Sequence, residues 1–118
     1  MAATKVTTDV ISDEFFTASA LSPAATIAVD WSSAQIFTLT PGQSTTLNIT
    51  NPTIGVQKTI IVTGSGNSYT IALNVGGAAG TFNLISGEYD DSSNVKNLYS
   101  ILCVGGTEFW YSISQIAT

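Results

Sequence analysis

Three acidic side chains in the longest polar stretch are the first candidates for chemistry in this sequence. Glu88, Asp90 and Asp91 lie close together there. Loop carboxylates could ligate calcium, but their spacing does not follow an EF-hand and supplies few ligands. A glycosidase needs two carboxylates from separate elements facing each other across a cleft. Glu108 or Asp30 could supply the second carboxylate, although nothing in the sequence indicates that either one faces this stretch. We interpret the stretch as a solvated loop and keep a carboxylate hydrolase as a lesser hypothesis.

The residue types that are missing exclude several kinds of site. The chain has no histidine and no arginine, and its three lysines stand against eight acids, for a net charge of −5. It therefore lacks an imidazole base or ligand and a guanidinium for phosphates. Scattered lysines make no basic face for nucleic acid. The single cysteine, Cys103, cannot form an intramolecular disulfide or a thiolate zinc site. We predict no catalytic residues, no cofactor, no metal and no nucleic-acid partner, and hence not an enzyme.

The aromatic residues are the remaining candidates for recognition. Phe109, Trp110 and Tyr111 are consecutive, so in a strand Trp110 faces opposite to its two neighbours. Trp31, Trp110 and Tyr111 could therefore contribute to a subunit interface, where aromatic residues are enriched, or to the core. The alternative is a platform on which a sugar ring stacks.

These residues are placed by elements whose apolar side chains recur at every second position. From residue 25 onward the alternation predicts about eight short strands, with turns every 8–12 residues. Residues 69–75 give the cleanest alternation, and Gly105-Gly106 predicts a two-residue hairpin turn with positive φ. Residues 64–68 read as a further hairpin loop. We predict an all-β, antiparallel β-sandwich or jelly-roll-like domain over residues 25–118.

Residues 1–24 differ from the rest of the chain. Ser12 could cap a short helix that continues through Asp13 and ends before Pro23, or the segment could be an extended arm that orders on a partner. We interpret residues 1–24 as an N-terminal attachment arm. Phe15 and Phe16 are its candidate anchors to a particle, the alternative being that they pack on their own domain.

The scarcity of charge predicts self-association. Only 9% of the residues are charged, where about 25% is usual. Threonine and serine occupy positions that lysine and glutamate would normally take, and the mean hydropathy is +0.31. Such sheets need their faces and edges covered, so we predict an obligate homo-oligomer. The sequence also shows no signal-peptide pattern and no apolar run long enough to span a bilayer, so we predict no membrane partner.

The order of several short motifs resembles a β-domain of tailed-phage head-fibre and tail-fibre proteins. In that group an Asp-Trp begins the domain, a Thr/Leu-rich hairpin ending in Asn-Pro follows, and a final strand pair closes it. The matching segments here are 29–31, 37–40, 46–52, 55–62, 99–102 and 108–111. The resemblance implies a homotrimeric, non-enzymatic virion part, assembled in the host cytoplasm and exposed on the particle.

The chain length favours one position for such a part over another. At 118 residues it lacks the long repetitive shaft of a complete tail fibre. We predict a head-fibre or capsid decoration protein whose partners are its own copies and other virion proteins, such as the major capsid protein or portal and tail components. The alternative is a tail-associated adhesin that binds a glycan on the host surface.

Overall fold

The computed structural model describes residues 13–116, and within that range the chain is almost entirely β-structure. A single-turn 3-10 helix, Asp13–Phe16, precedes the first strand. The strands are β1 (Ala18–Ala20), β2 (Thr26–Asp30), β3 (Ile36–Leu39), β4 (Thr45–Thr50), β5 (Gln57–Thr63), β6 (Ile71–Val75), β7 (Thr81–Ser86), β8 (Lys96–Cys103) and β9 (Glu108–Gln115). The prediction of an all-β chain is confirmed.

Successive strands alternate between two sheets, so the chain winds in a solenoid-like way. The six-stranded sheet has the order β1-β3-β5-β8-β9-β7, and the three-stranded sheet has the order β2-β4-β6. Each odd-numbered strand from β1 to β5 is followed by an even-numbered strand in the other sheet. Neighbouring strands within each of these two series run parallel.

The alternating sequence pattern fixes which side chains lie between the sheets. In β2 and β4, buried and partly exposed residues alternate, and the parallel register aligns Ile27 with Leu47 and Val29 with Ile49. The same register continues into β6, where Leu73 lies opposite Leu47. Apolar side chains therefore form layers that run across the sheet. Each fully buried side chain of this kind contributes about 1.5–3 kcal/mol to folding.

The predicted antiparallel sandwich is wrong in its strand pairing. Among the described strands only β5–β8 and β8–β9 pair antiparallel, whereas the other five neighbouring pairs are parallel. Parallel neighbours do not require a helical crossover. Parallel strands need a connection of a dozen residues or so, and a strand in a second sheet supplies it equally well. Residues 64–68 therefore carry the chain from one sheet to the other and do not form a hairpin loop.

The last two strands form a hairpin that is inserted into the six-stranded sheet. β8 pairs with β5 and β9 pairs with β7, so the hairpin separates two strands that would otherwise be successive in the solenoid. The hairpin predicted at Gly105-Gly106 is present, and the Val104 and Gly105 amides both donate to the Glu108 carbonyl. Neither glycine has a positive φ, so the predicted turn chemistry is wrong although its place is right.

The core lies between the two sheets and is rich in aromatic rings. Trp31 and Phe109 meet edge to face, with ring centroids 5.6 Å apart. Phe82 stacks on Phe109 at 4.7 Å, and Tyr99 stacks on Tyr111 at 6.4 Å. These contacts hold the inserted hairpin against the solenoid coils, because the rings come from both parts of the chain.

The N-terminal segment is attached to the β-domain at several points in the part that the structure describes. β1 pairs parallel with β3, and the Leu21 amide donates to the Thr38 carbonyl at 2.8 Å. The 3-10 helix begins at Asp13, in the range where we predicted a short helix or an extended arm. The predicted cap, Ser12, and the rest of residues 1–12 lie outside the described residues.

Candidate functional site

The outer face of the six-stranded sheet, which is turned away from the three-stranded sheet, is the best candidate for a recognition surface. A row of paired residues crosses it from Gln57 through Leu102 and Trp110 to Asn83. Alternation along each strand places these side chains opposite to the core residues. The inserted hairpin therefore lies near the middle of this face.

Apolar side chains form a shallow cavity on this outer face. It has a volume of about 320 Å³. The apolar residues that line it are Ile85, Leu102, Val104 and Trp110. Trp110 is 47% exposed and Ile85 is 64% exposed, so both offer apolar area to a partner.

Charge is confined to the margins of the outer face. Lys96 lies in the row with Thr63 and donates to its hydroxyl at 2.9 Å. Glu108 lies at the opposite end of the hairpin, where its carboxylate accepts a hydrogen bond from the Trp110 indole at 3.1 Å. The outward positions between these two, within the described strands, are apolar, hydroxyl or amide side chains. A neutral centre with a charged rim is the pattern of protein interfaces.

The structure separates the three aromatic residues that the sequence analysis grouped. Trp110 lies on the outer face, whereas Trp31 is 1% exposed and belongs to the core. Tyr111 points inward and is partly buried, since it packs on Tyr99 and Phe82. Only Trp110 of the three is therefore available on this face to a second molecule.

The two predicted anchor residues lie on the 3-10 helix and differ in their surroundings. The ring of Phe15 covers the Lys58 ammonium, which is 4.8 Å from the ring centroid. Phe16 is 62% exposed. Phe15 therefore contacts its own domain, and Phe16 is the more accessible of the two.

The predicted acidic loop lines an open polar cavity of about 510 Å³. Glu88, Asp90 and Asp91 border it, together with Tyr69 and Tyr89. The cavity thus gathers all three acids that the sequence offered as candidates for chemistry.

Asp91 joins two loops through its carboxylate. It accepts hydrogen bonds from the Ser65 and Tyr69 amides at 3.0 and 2.9 Å, and from the hydroxyls of Ser65 and Tyr89. Burial alone would raise the pKa of Asp91, but these hydrogen bonds outweigh it and hold the pKa well below its ordinary value. Burial, reinforced by the bond to Asp91, raises the pKa of Tyr89. The carboxylate therefore has a structural role between the loops.

The two aspartates of the polar cavity are poorly suited to general-acid chemistry. Hydrogen bonds from Ser92 lower the pKa of Asp90, so both aspartates are shifted away from the range of a general acid. Within residues 13–116 no group of three or more histidine, cysteine, aspartate or glutamate side chains is arranged to hold a metal ion. Cys103 is buried, and burial raises the pKa of its thiol.

The sequence analysis missed the aliphatic neighbours of Trp110. Leu102 could have been found, because alternation places it opposite to its apolar neighbours Ile101 and Cys103, which are buried. Ile85 and Val104 could not, since Ile85 lies within an irregularity in the pairing of β7 and Val104 lies in the hairpin loop.

Comparisons with known proteins give no relative from which to assign a role. No family model matches the chain, and neither a curated protein nor a solved structure matches it significantly. In the part of the chain that the structure describes, no helix is long and apolar enough to cross a membrane.

Proposed function

We propose that this protein is a structural subunit that assembles with its own copies through the outer face of the six-stranded sheet. The observation that carries the proposal is the neutral, partly apolar centre of that face around Trp110. A partner surface that covers it removes apolar area from water without burying an unpaired charge. In this role the protein binds its partners through buried surface area, and the role requires no chemical reaction.

The biological setting we propose is a tailed-phage virion, with a homotrimeric head-fibre or capsid decoration protein as the specific role. The motif order described above supports this setting, as does a β-domain whose surface is rich in threonine and serine. The jelly-roll-like arrangement that we expected is not required for the role, since solenoid coils also present flat sheet faces. Attachment to other virion proteins would use the N-terminal segment, in which Phe16 is exposed.

Native mass spectrometry of the full chain tests the proposal. We expect a trimer at micromolar concentration, and we expect Trp110→Asp to shift the population to monomers. Ile54→Asp is the matched control, because Ile54 is 66% exposed but lies outside the cavity on the outer face. A wild-type chain that remains monomeric, or a Trp110→Asp chain that keeps its wild-type mass, would contradict the proposal.

A carbohydrate-binding adhesin is the second candidate, and the surroundings of Trp110 favour it. An exposed indole lies beside Gln57, Ser100 and Ser112, whose polar groups suit sugar hydroxyls. Titration with host-surface oligosaccharides, followed by tryptophan fluorescence, tests this role. The expected result is a saturable change in the wild type that Trp110→Ala abolishes, and the absence of any response would remove the candidate.

A further inference from the structure

The smaller sheet ends before it has covered the larger one. β6 is the last strand of the three-stranded sheet, and it follows β5 in the chain. The six-stranded sheet continues past β5 through β8, β9 and β7. At this end of the molecule the inner side of the larger sheet therefore extends beyond its partner.

An apolar groove lies at this end of the molecule, where one further strand could be added to the smaller sheet. This end groove has a volume of about 390 Å³, and its principal apolar lining residues are Ile71, Leu73, Phe82, Leu84, Tyr111 and Ile113. Leu84 is 47% exposed although its position pairs it with the inward-facing Tyr111. These side chains are typical of a core layer, and no strand of the described residues covers them.

The edge of β6 beside the end groove is open to pairing. In the described part of the chain, β6 has a strand neighbour on one side only, namely β4. Its last residue, Val75, is closed off by a turn in which the Val75 amide donates to the Ala78 carbonyl at 2.9 Å. Residues 71–74 remain as an edge to which an extended segment can add.

We propose that residues 5–11 of a neighbouring copy occupy the end groove as an additional strand beside β6. The segment reads Lys-Val-Thr-Thr-Asp-Val-Ile, in which Val6, Thr8 and Val10 fall on one face of a strand. Two branched apolar side chains then point into the groove, and Thr8 lies between them. Lys5 complements Glu88, which borders the same groove.

The connection to Asp13 favours a neighbouring copy as the donor. Glu14 is held at Lys58 on β5, with 2.7 Å between the charged atoms. Tyr111 on β9 and Leu84 on β7, which line the groove, lie two and three strand positions from β5, or about 10 and 14 Å at the usual spacing of strands. Ser12 alone joins Ile11 to Asp13, which spans at most about 7 Å. Donation from one copy to the next is a heterologous contact, and such contacts close into rings when the rotation permits.

This inference rests on the proposed self-assembly but uses a different surface, so full-length variants can separate the two. Val6→Asp combined with Val10→Asp makes a chain that is defective as a donor. Leu84→Asp makes a chain that is defective as an acceptor, at a position exposed enough for folding to tolerate the change. Ile85→Asp, on the next residue of β7, alters the outer face instead.

Complementation between variants is the decisive measurement, read by native mass spectrometry and light scattering. The donor-defective and acceptor-defective chains should each be monomeric where the wild type is trimeric, because on this inference the trimer requires the donated strand in addition to the outer face. An equal mixture of the two variants should form a two-chain species. The acceptor-defective chain supplies an intact segment, and the donor-defective chain supplies an intact groove. Circular dichroism and thermal unfolding of each variant verify that it is folded.

The possible contrary results distinguish this inference from the proposed function. If Ile85→Asp dissociates the assembly while the donor-defective chain keeps its trimeric mass, the outer face is the interface and the donated strand is overturned. A mixture that stays monomeric also overturns it. If the donor-defective chain only loses thermal stability, equally at every protein concentration and without a change in mass, residues 5–11 fill the groove of their own copy. A monomeric wild type would remove both proposals.

Discussion

Glu14 and Lys58 form an ion pair that joins the N-terminal helix to the middle of the larger sheet. The carboxylate oxygen lies 2.7 Å from the ammonium nitrogen, and the Lys58 side chain is 0% exposed while that of Glu14 is 20% exposed. The other face of the ammonium is covered by the Phe15 ring. The 3-10 helix is therefore attached to β5 by charge and by an aromatic contact.

Removing the carboxylate of this pair should destabilise the fold more than replacing the buried ammonium with an apolar side chain. Glu14→Gln leaves a buried ammonium without its carboxylate, and we expect it to lower the free energy of unfolding by about 2 kcal/mol or more. Lys58→Met replaces the ammonium with an apolar side chain and should be close to neutral. Urea unfolding of both variants measures the difference. Equal losses in the two variants would contradict this account of the pair.

Asp91 should make the stability of the fold depend on pH in the acidic range. Its folded pKa is lowered relative to an unfolded value of about 3.9, so its stabilising contribution is fully present above the unfolded pKa. That contribution is lost as the pH falls through the folded pKa. Asp91→Asn should therefore lower stability at neutral pH and flatten the decline between about pH 5 and pH 2. Thermal unfolding across this range is the measurement, and a decline as steep as that of the wild type would count against the role of Asp91.

The two tryptophans should respond very differently to truncation. Trp31 is fully enclosed, so Trp31→Ala should cost about 3–5 kcal/mol by leaving a cavity in the core. Trp110→Ala should change stability by no more than about 0.5 kcal/mol when measured at a protein concentration low enough to prevent assembly. Denaturant titration of both variants provides the comparison. A large loss in the Trp110 variant under these conditions would show that its ring supports the fold of the single copy.

Two glycines with positive φ allow backbone strain to be separated from steric conflict. A Cβ at Gly87 would lie 1.8 Å from the Ile113 carbonyl oxygen, whereas a Cβ at Gly76 would meet nothing within 4 Å. Gly76→Ala should cost only the left-handed backbone penalty, about 1–2 kcal/mol. Gly87→Ala should cost clearly more, because the backbone of β9 must also move. Chemical denaturation of the two variants decides this, and equal costs would show that the loop before Glu88 yields easily.

The sequence predicted the strands better than their pairing. Alternation in segments such as 26–30 and 45–50 indicates which residues face the core, and the structure shows the same alternation of buried and more exposed residues there. Alternation carries no information about which strand lies alongside, so it cannot distinguish a solenoid coil from an antiparallel sandwich. One neighbour of β5 comes from the later hairpin, since β8 begins at Lys96, 33 residues after β5 ends at Thr63.

The candidate site was predictable only in part for a related reason. Trp110 could be assigned to the face opposite Phe109 from their adjacency alone. Trp31 carries the same residue type, but its burial arises from the Phe109 ring, which is distant in sequence. The attachment of Glu14 to Lys58 also depends on tertiary contact, since the two residues are 44 positions apart. Residue type and spacing could not reveal either relationship.

The insertion of the β8–β9 hairpin has a consequence for how the protein can be synthesised. In a solenoid each coil packs against the coils that precede and follow it in the chain. β7 does not follow this pattern, because its neighbour in the sheet is β9, at the carboxyl end of the described chain. Until β9 has been synthesised, β7 lacks its described neighbour in the larger sheet. We therefore expect β7 and the β8–β9 hairpin to join that sheet together, as one cooperative step.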